Sequence, residues 1–270
     1  MSTPMSRTIL HRISLALVTG LFLALAQGVV ETGQTKASQP HLVMGIAVGL
    51  LAMVWSAAVR KTRPEAFALS ILVLGAIAAS GWSGMVLTPA AKVAHAVFSH
   101  LAFGLAAGGA AMTSESWEAK LAFADGGFPT LRSLAWITPA AVTIQVALGA
   151  AYRHQMTGLI PHVAWAFVAA MAVIMTAAFT MTQCGKHPAL RRLSIALISI
   201  TAVQLVLGVT ALFGRMAESS AGSAWRVIAA ASHVLAGAVV LALTLALAAQ
   251  TLRHVEPVEA RGLAATGQNG

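Results

Sequence analysis

Eight stretches of roughly twenty residues, each apolar and nearly free of charge, recur along this chain, and each is long enough to cross the core of a bilayer as a helix. They lie near Ile13–Val30, His41–Val59, Ala66–Leu87, Ala94–Met112, Leu134–Ala151, His162–Met181, Leu193–Phe213 and Val227–Leu252. In hydrocarbon the backbone amides must be satisfied internally, which leaves a helical bundle as the solution for runs of this length. Only 9% of residues are charged, against about a quarter in soluble domains. The expected fold class is all-α: a polytopic membrane protein with eight transmembrane helices.

A formal net charge of +9 would raise nucleic acid as a partner for a soluble protein. Here the cations fall in alternate connections, which reads as membrane orientation and argues against nucleic acid. With the N-terminus inside, twelve of them (Arg7, Arg12, Arg60, Lys61, Arg63, Lys120, Arg132, Lys186, Arg191, Arg192, Arg253 and Arg261) are cytoplasmic. Five (Lys36, Lys92, Arg153, Arg215 and Arg226) are outside, so both termini are expected in the cytoplasm. The short chain without a transit peptide suggests a bacterial inner membrane. Cys184 is the single cysteine, so no internal disulfide and no multi-thiolate metal site can form.

A pair of spacings occurs twice. Gly28 precedes the histidine of Pro40-His41 by 13 positions, and Gly149 precedes that of Pro161-His162 by the same 13. Gly75, in Val73-Leu74-Gly75, precedes His100 by 25, as Gly208, in Val206-Leu207-Gly208, precedes His233. The chain therefore reads as a four-helix unit written twice, over residues 9–113 and 131–254. A cytoplasmic linker (residues 114–130) joins the halves, and a polar tail (255–270) is expected to be disordered. Each half holds an even number of spans, so both insert alike and form two tandem pseudo-symmetric bundles about an axis along the membrane normal. Arg7 and Arg12 before an apolar run, with Ala24-Leu25-Ala26, resemble a signal peptide. The repeat favours retention, because the Gly28 segment is the counterpart of the Gly149 segment.

Pro40 and Pro161 suit the first turn of a helix, placing His41 and His162 at the outer mouths of the second and sixth helices. His100 and His233 fall deeper in the fourth and eighth, which run parallel to their partners. A lone interface histidine more often caps a helix or bonds to a neighbour; the matched spacing favours ligation. One imidazole on each of two parallel helices can clamp a heme, so His41, His100, His162 and His233 are candidate iron ligands. His95 competes with His100, but Ile228 occupies its matching position in the repeat. Zinc is weaker, for want of nearby carboxylates or thiolates. Arg153 could pair with a heme propionate or be an ordinary loop cation. Gln145 and Gln204 could reach a ligand, although inter-helix bonds are their commoner use. His11, His187 and His254 read as solvated. Of the outer carboxylates Glu31 and Glu218, Glu31 precedes His41 by ten residues; buried, its pKa would rise and suit proton transfer, and it is the candidate catalytic acid or base.

The eight-helix plan with a histidine near the outer end of each even helix, Thr32-Gly33 after the first helix, Leu148-Gly149-Ala150-Ala151-Tyr152-Arg153-His154 after the fifth, and Gln204-Leu205-Val206-Leu207-Gly208 leading to Ser232-His233 together resemble the heme A synthase family. The resemblance covers nearly the whole chain. It implies oxidation of a methyl group of heme O to the formyl group of heme A for cytochrome oxidase biogenesis. It also implies heme b held by His162 and His233 and the substrate heme held by His41 and His100. Heme O synthase and a separate electron donor would be partners, alongside the lipid bilayer; self-association into a homo-oligomer stays open. The chain departs from many members in lacking outer-loop cysteine pairs and a glutamate one turn before the first histidine, where Ala37-Ser38-Gln39-Pro40 stands. The alternatives are a non-catalytic bis-histidine cytochrome b and a heme-binding oxidase assembly factor.

Overall fold

The computed structural model describes residues 6–31, 38–119, 121–126, 128–216 and 224–257. It contains eight long helices: α1 Arg7–Val30, α2 Gln39–Thr62, α3 Phe67–Gly84, α4 Pro89–Thr113, α5 Leu131–Arg153, α6 Leu159–Cys184, α7 Pro188–Met216 and α8 Ala224–His254. All eight are long and apolar enough to cross a bilayer. The chain is an all-α integral membrane protein, apart from two three-residue strands, β1 Phe123–Asp125 and β2 Val255–Pro257.

The helices begin where the sequence supplies caps. Ser6, Ser38, Thr88 and Thr130 each accept a hydrogen bond from the amide three residues on, at the starts of α1, α2, α4 and α5. Pro40 and Pro89 occupy first-turn positions of α2 and α4, where a missing amide proton is harmless. Large apolar side chains such as Leu42, Val43, Ile46, Phe167 and Val206 point outward. The buried layer is instead rich in alanine, serine and threonine. Bilayer chains solvate apolar groups as well as a protein core does, so close approach of small residues and interhelical hydrogen bonds drive the packing.

In each half the helices pack in a closed ring, α1–α2–α3–α4 and α5–α6–α7–α8, with α1 also against α4 and α5 against α8. The halves meet mainly along α4 and α8, with smaller contacts of α4 with α5 and α1 with α8. Glycine makes that seam close: a methyl group on Gly104 would fall 2.7 Å from Leu245 Cδ1. Inside the first half, Trp55 Nε1 donates to Ser14 Oγ at 2.8 Å, and Thr113 Oγ1 donates to the same oxygen at 3.0 Å.

Even helices start on one face of the bundle, the histidine face, and odd helices on the other, the linker face. On the linker face the connection between the halves is tied down. β1 pairs in parallel with β2, Phe123 opposite Val255 and Asp125 opposite Pro257. Asp125 accepts from the amides of Leu131 and Arg132 at 2.8 and 3.0 Å, and Arg132 Nη1 donates to the Val255 carbonyl at 2.8 Å. The first residues of the expected disordered tail are therefore ordered; residues 258–270 lie outside the described residues. Arg63 forms an ion pair with Glu118, which holds that carboxyl below the usual carboxylate range. His187 and His254, expected to be solvated, are buried with ring centres 4.4 Å apart, because the linker folds over them.

Candidate functional site

Four histidines on the histidine face share one device. His41, His95, His162 and His233 each rest on a glycine of the preceding helix: Gly28, Gly84, Gly149 and Gly208. In all four places a methyl group on the glycine would lie 2.9 Å from an atom of the imidazole ring. That is well inside the roughly 3.5–4.0 Å of ordinary carbon contacts. Only glycine lets the ring approach its neighbour this closely without a shift at these sites.

The rings form two pairs. The centres of His162 and His233 are 6.3 Å apart with their planes at 88°; those of His41 and His95 are 6.1 Å apart at 59°. Two imidazoles binding opposite sides of one metal at about 2.0 Å would hold their centres about 6.3 Å apart.

The outer nitrogens are anchored. His95 Nδ1 donates to the Ser80 carbonyl at 2.9 Å, and His233 Nδ1 to the Gln204 carbonyl at 3.2 Å. Each carbonyl belongs to the residue four before the seating glycine, one turn along the same helix. Gln145 holds the equivalent place before Gly149, and its carboxamide lies 3.2 Å from His162 Nδ1. The two ends of a carboxamide have nearly the same shape. As placed, the carboxamide nitrogen faces Nδ1 and Oε1 is left buried without a partner; turned end for end, Gln145 accepts from Nδ1–H, as the carbonyls do elsewhere. Tyr152 stacks on His162 at 6.4 Å and 10°, with the Arg215 guanidinium 4.6 Å above the phenol ring. His41 differs: its Nδ1 is buried without a hydrogen-bond partner. No Nε2 of the four rings is hydrogen-bonded among the described residues. A ring that donates through Nδ1 keeps its Nε2 lone pair, which is how histidine ligands to metals are ordinarily set.

His41 thus faces His95 and not His100. His100 is 5% exposed and donates from Nδ1 to the Ala96 carbonyl at 2.7 Å, while the Val234 carbonyl approaches it from α8. It sits in the seam between the halves. The reason lies in the connections: α3 ends on Gly84 and turns into α4 within four residues, whereas α7 continues two turns past Gly208. Equal counting from His233 therefore lands on Gly75, which has nothing within 4 Å, instead of Gly84. The better signal was local, a glycine one turn after a residue whose carbonyl or amide faces the ring.

Glu31 caps the end of α1. Its Oε1 accepts from Ser38 Oγ at 2.5 Å and from Gln27 Nε2 at 3.2 Å, and those bonds, Ser38 first, hold the carboxyl below its ordinary pKa. It stands near His41 as a carboxylate rather than as the buried, proton-holding acid the sequence allowed. Arg153, at the end of α5, donates from Nη2 to the Val29 carbonyl at 3.3 Å. Thr32, Gly33 and Glu218 lie outside the described residues.

No three histidine, cysteine, aspartate or glutamate side chains converge into a metal-holding group among the described residues. A bare tetrahedral ion would find too few protein ligands at either pair. A metal already held by a planar four-nitrogen macrocycle would need only two further ligands, and each histidine pair could supply two. No protein-family model and no curated protein matches this chain.

Proposed function

We propose that the chain is an integral membrane hemoprotein of the heme A synthase type, oxidising the methyl group of heme O to a formyl group with electrons from a separate donor. A heme b would rest between His162 and His233, and the substrate heme between His41 and His95. The observation that carries the reading is the two histidine pairs seated on glycine, 6.3 and 6.1 Å between ring centres, with no Nε2 hydrogen-bonded among the described residues. Bound heme iron supplies the redox chemistry; the protein's residues hold, orient and shield it.

The asymmetry between the pairs supports a division of labour. Both rings of the second pair are anchored, and Tyr152 stacks on one of them, as suits a resident group. In the first pair His41 lacks an Nδ1 partner and Glu31 stands nearby as a carboxylate, as suits a ligand that must be taken up and released. The charge distribution supports both termini in the cytoplasm and the histidine face outward.

A second reading is a bis-histidine cytochrome b carrying two resident hemes, and the near-equal spacing of the two pairs favours it. The test is to purify the protein from cells that make heme O, extract its hemes and identify them by chromatography and mass. Heme O or heme A beside heme b supports the enzyme. Two hemes b per chain support the cytochrome, and no heme removes both.

A further inference from the structure

A cavity of about 240 Å³ opens on the histidine face, lined by Pro89, Lys92, Arg153, His154 and Gln155. Pro89 and Lys92 belong to the first half and the other three to the second, so the cavity straddles the seam. Lys92 precedes His95 by three residues on α4, one turn nearer the surface. Arg153 follows Gly149, the seat of His162, by four residues on α5. The cavity is thus reached by one turn of helix from each histidine pair.

Its cations are built in. Arg153 is held by the Val29 carbonyl of α1. The chain reverses beyond it through Gln155 at φ 60°, a left-handed conformation that non-glycine residues seldom adopt. Amides of His154 and Met156 donate back to the carbonyls of Ala150 and Ala151 at 2.9 and 2.8 Å. His154 is held below the ordinary histidine pKa by burial first, then by the charges of Arg153 and Lys92. Among the described residues no carboxylate forms an ion pair with Lys92, Arg153 or His154, whereas Arg7 and Arg63 on the linker face both reach Glu118. Like charges converging on a concave surface, with no counter-charge beside them among the described residues, create a site for an anion.

We propose that this cavity binds an oxyanion, a carboxylate or a phosphate, shared by the two halves. Arg153 supplies a planar fork suited to two oxygens, Lys92 a mobile charge at the rim, and His154 a further donor once the anion has restored its affinity for a proton. A carboxylate would come from the ligand held by a histidine pair, an arm that rests on the heme reading. A phosphate would come from an anionic lipid headgroup.

The experiment uses the full chain, as wild type and as Lys92→Gln/Arg153→Gln, in nanodiscs of zwitterionic phosphatidylcholine. Iron protoporphyrin is titrated as the free acid and as its dimethyl ester, and retention of phosphatidylglycerol is read in parallel by native mass spectrometry. A preference for the acid of about tenfold, lost in the double variant, supports the carboxylate. Selective retention of phosphatidylglycerol, lost in the same variant, supports the phosphate. If neither preference exists or neither responds to the substitutions, the inference is overturned. Should no porphyrin bind, the heme reading fails while the lipid arm still decides the cavity. Lys92→Arg, which keeps the rim charge and leaves the Arg153 fork in place, should retain the preference, and Arg153→Lys, which keeps the charge without the fork, should retain only part of it, if the double variant lost it by chemistry and not by misfolding.

Discussion

Replacing Gly84 by alanine should empty the first histidine pair while the same change at Gly75 leaves it intact. The added methyl group at Gly84 would lie 2.9 Å from His95 Nδ1 and 3.2 Å from Cε1, whereas the one at Gly75 meets nothing within 4 Å. Restoring ordinary contact requires the ring to retreat by about 0.6–1 Å. Retreat lengthens the 2.9 Å bond to the Ser80 carbonyl, worth about 0.5–1.5 kcal/mol. It also moves the ring relative to His41 and so disturbs the 6.1 Å separation of the pair. A misplacement near 1 Å in a positioned group can cost on the order of a hundredfold in function. Gly75→Ala should instead be neutral or stabilise α3 by up to about 1 kcal/mol through helix propensity. The assay is heme stoichiometry by pyridine hemochrome, with electron paramagnetic resonance of the low-spin ferric signals for each variant. One heme per chain should vanish in Gly84→Ala and none in Gly75→Ala. The opposite pattern, with His100→Ala losing the heme that His95→Ala keeps, would refute the pairing of His41 with His95.

His100→Leu should retain both hemes yet lower stability by about 1–3 kcal/mol, since the Ala96 and Val234 carbonyls lose their buried partner; thermal unfolding in detergent beside heme content separates the two effects. Glu31→Gln should leave heme content unchanged and slow heme A formation, because the substitution removes a charge near His41 without removing a ligand; unchanged conversion would show that the carboxylate is a bystander. Glu118 has its folded pKa depressed by Arg63, so its contribution to stability is present above the unfolded value near 4.5 and is lost as pH falls through the lower folded one. Melting temperatures between pH 7 and pH 3 should therefore drop less steeply in Glu118→Gln than in the wild type.

The eight helices were legible because the bilayer sets one length and one chemistry for each span, and runs such as Leu193–Phe213 can be nothing else. His41, His162 and His233 were legible for a different reason: a proline or a glycine at a fixed distance marks each. His95 was named as a competitor of His100 but set aside by residue counting, because its glycine lies across a turn shorter than the connection between α7 and α8, and counting transfers only where connections match. The state of Glu31 was hidden, since it depends on Ser38 and Gln27 converging on one carboxylate oxygen. The burial of His187 and His254 depends on residues of the linker, far away in sequence, and no local pattern announces it.

The parallel pairing of Phe123–Asp125 with Val255–Pro257 acts as a parity check on membrane insertion. The two strands flank a segment of four crossings and can meet only if both emerge on the same side of the bilayer. A chain that skipped any one of α5 to α8 during synthesis would carry Val255 to the opposite side from Phe123, and the clasp could not close. Since β2 follows the last helix, this joint is made only after all eight crossings have been laid down, so a closed clasp reports that the second half crossed the bilayer an even number of times.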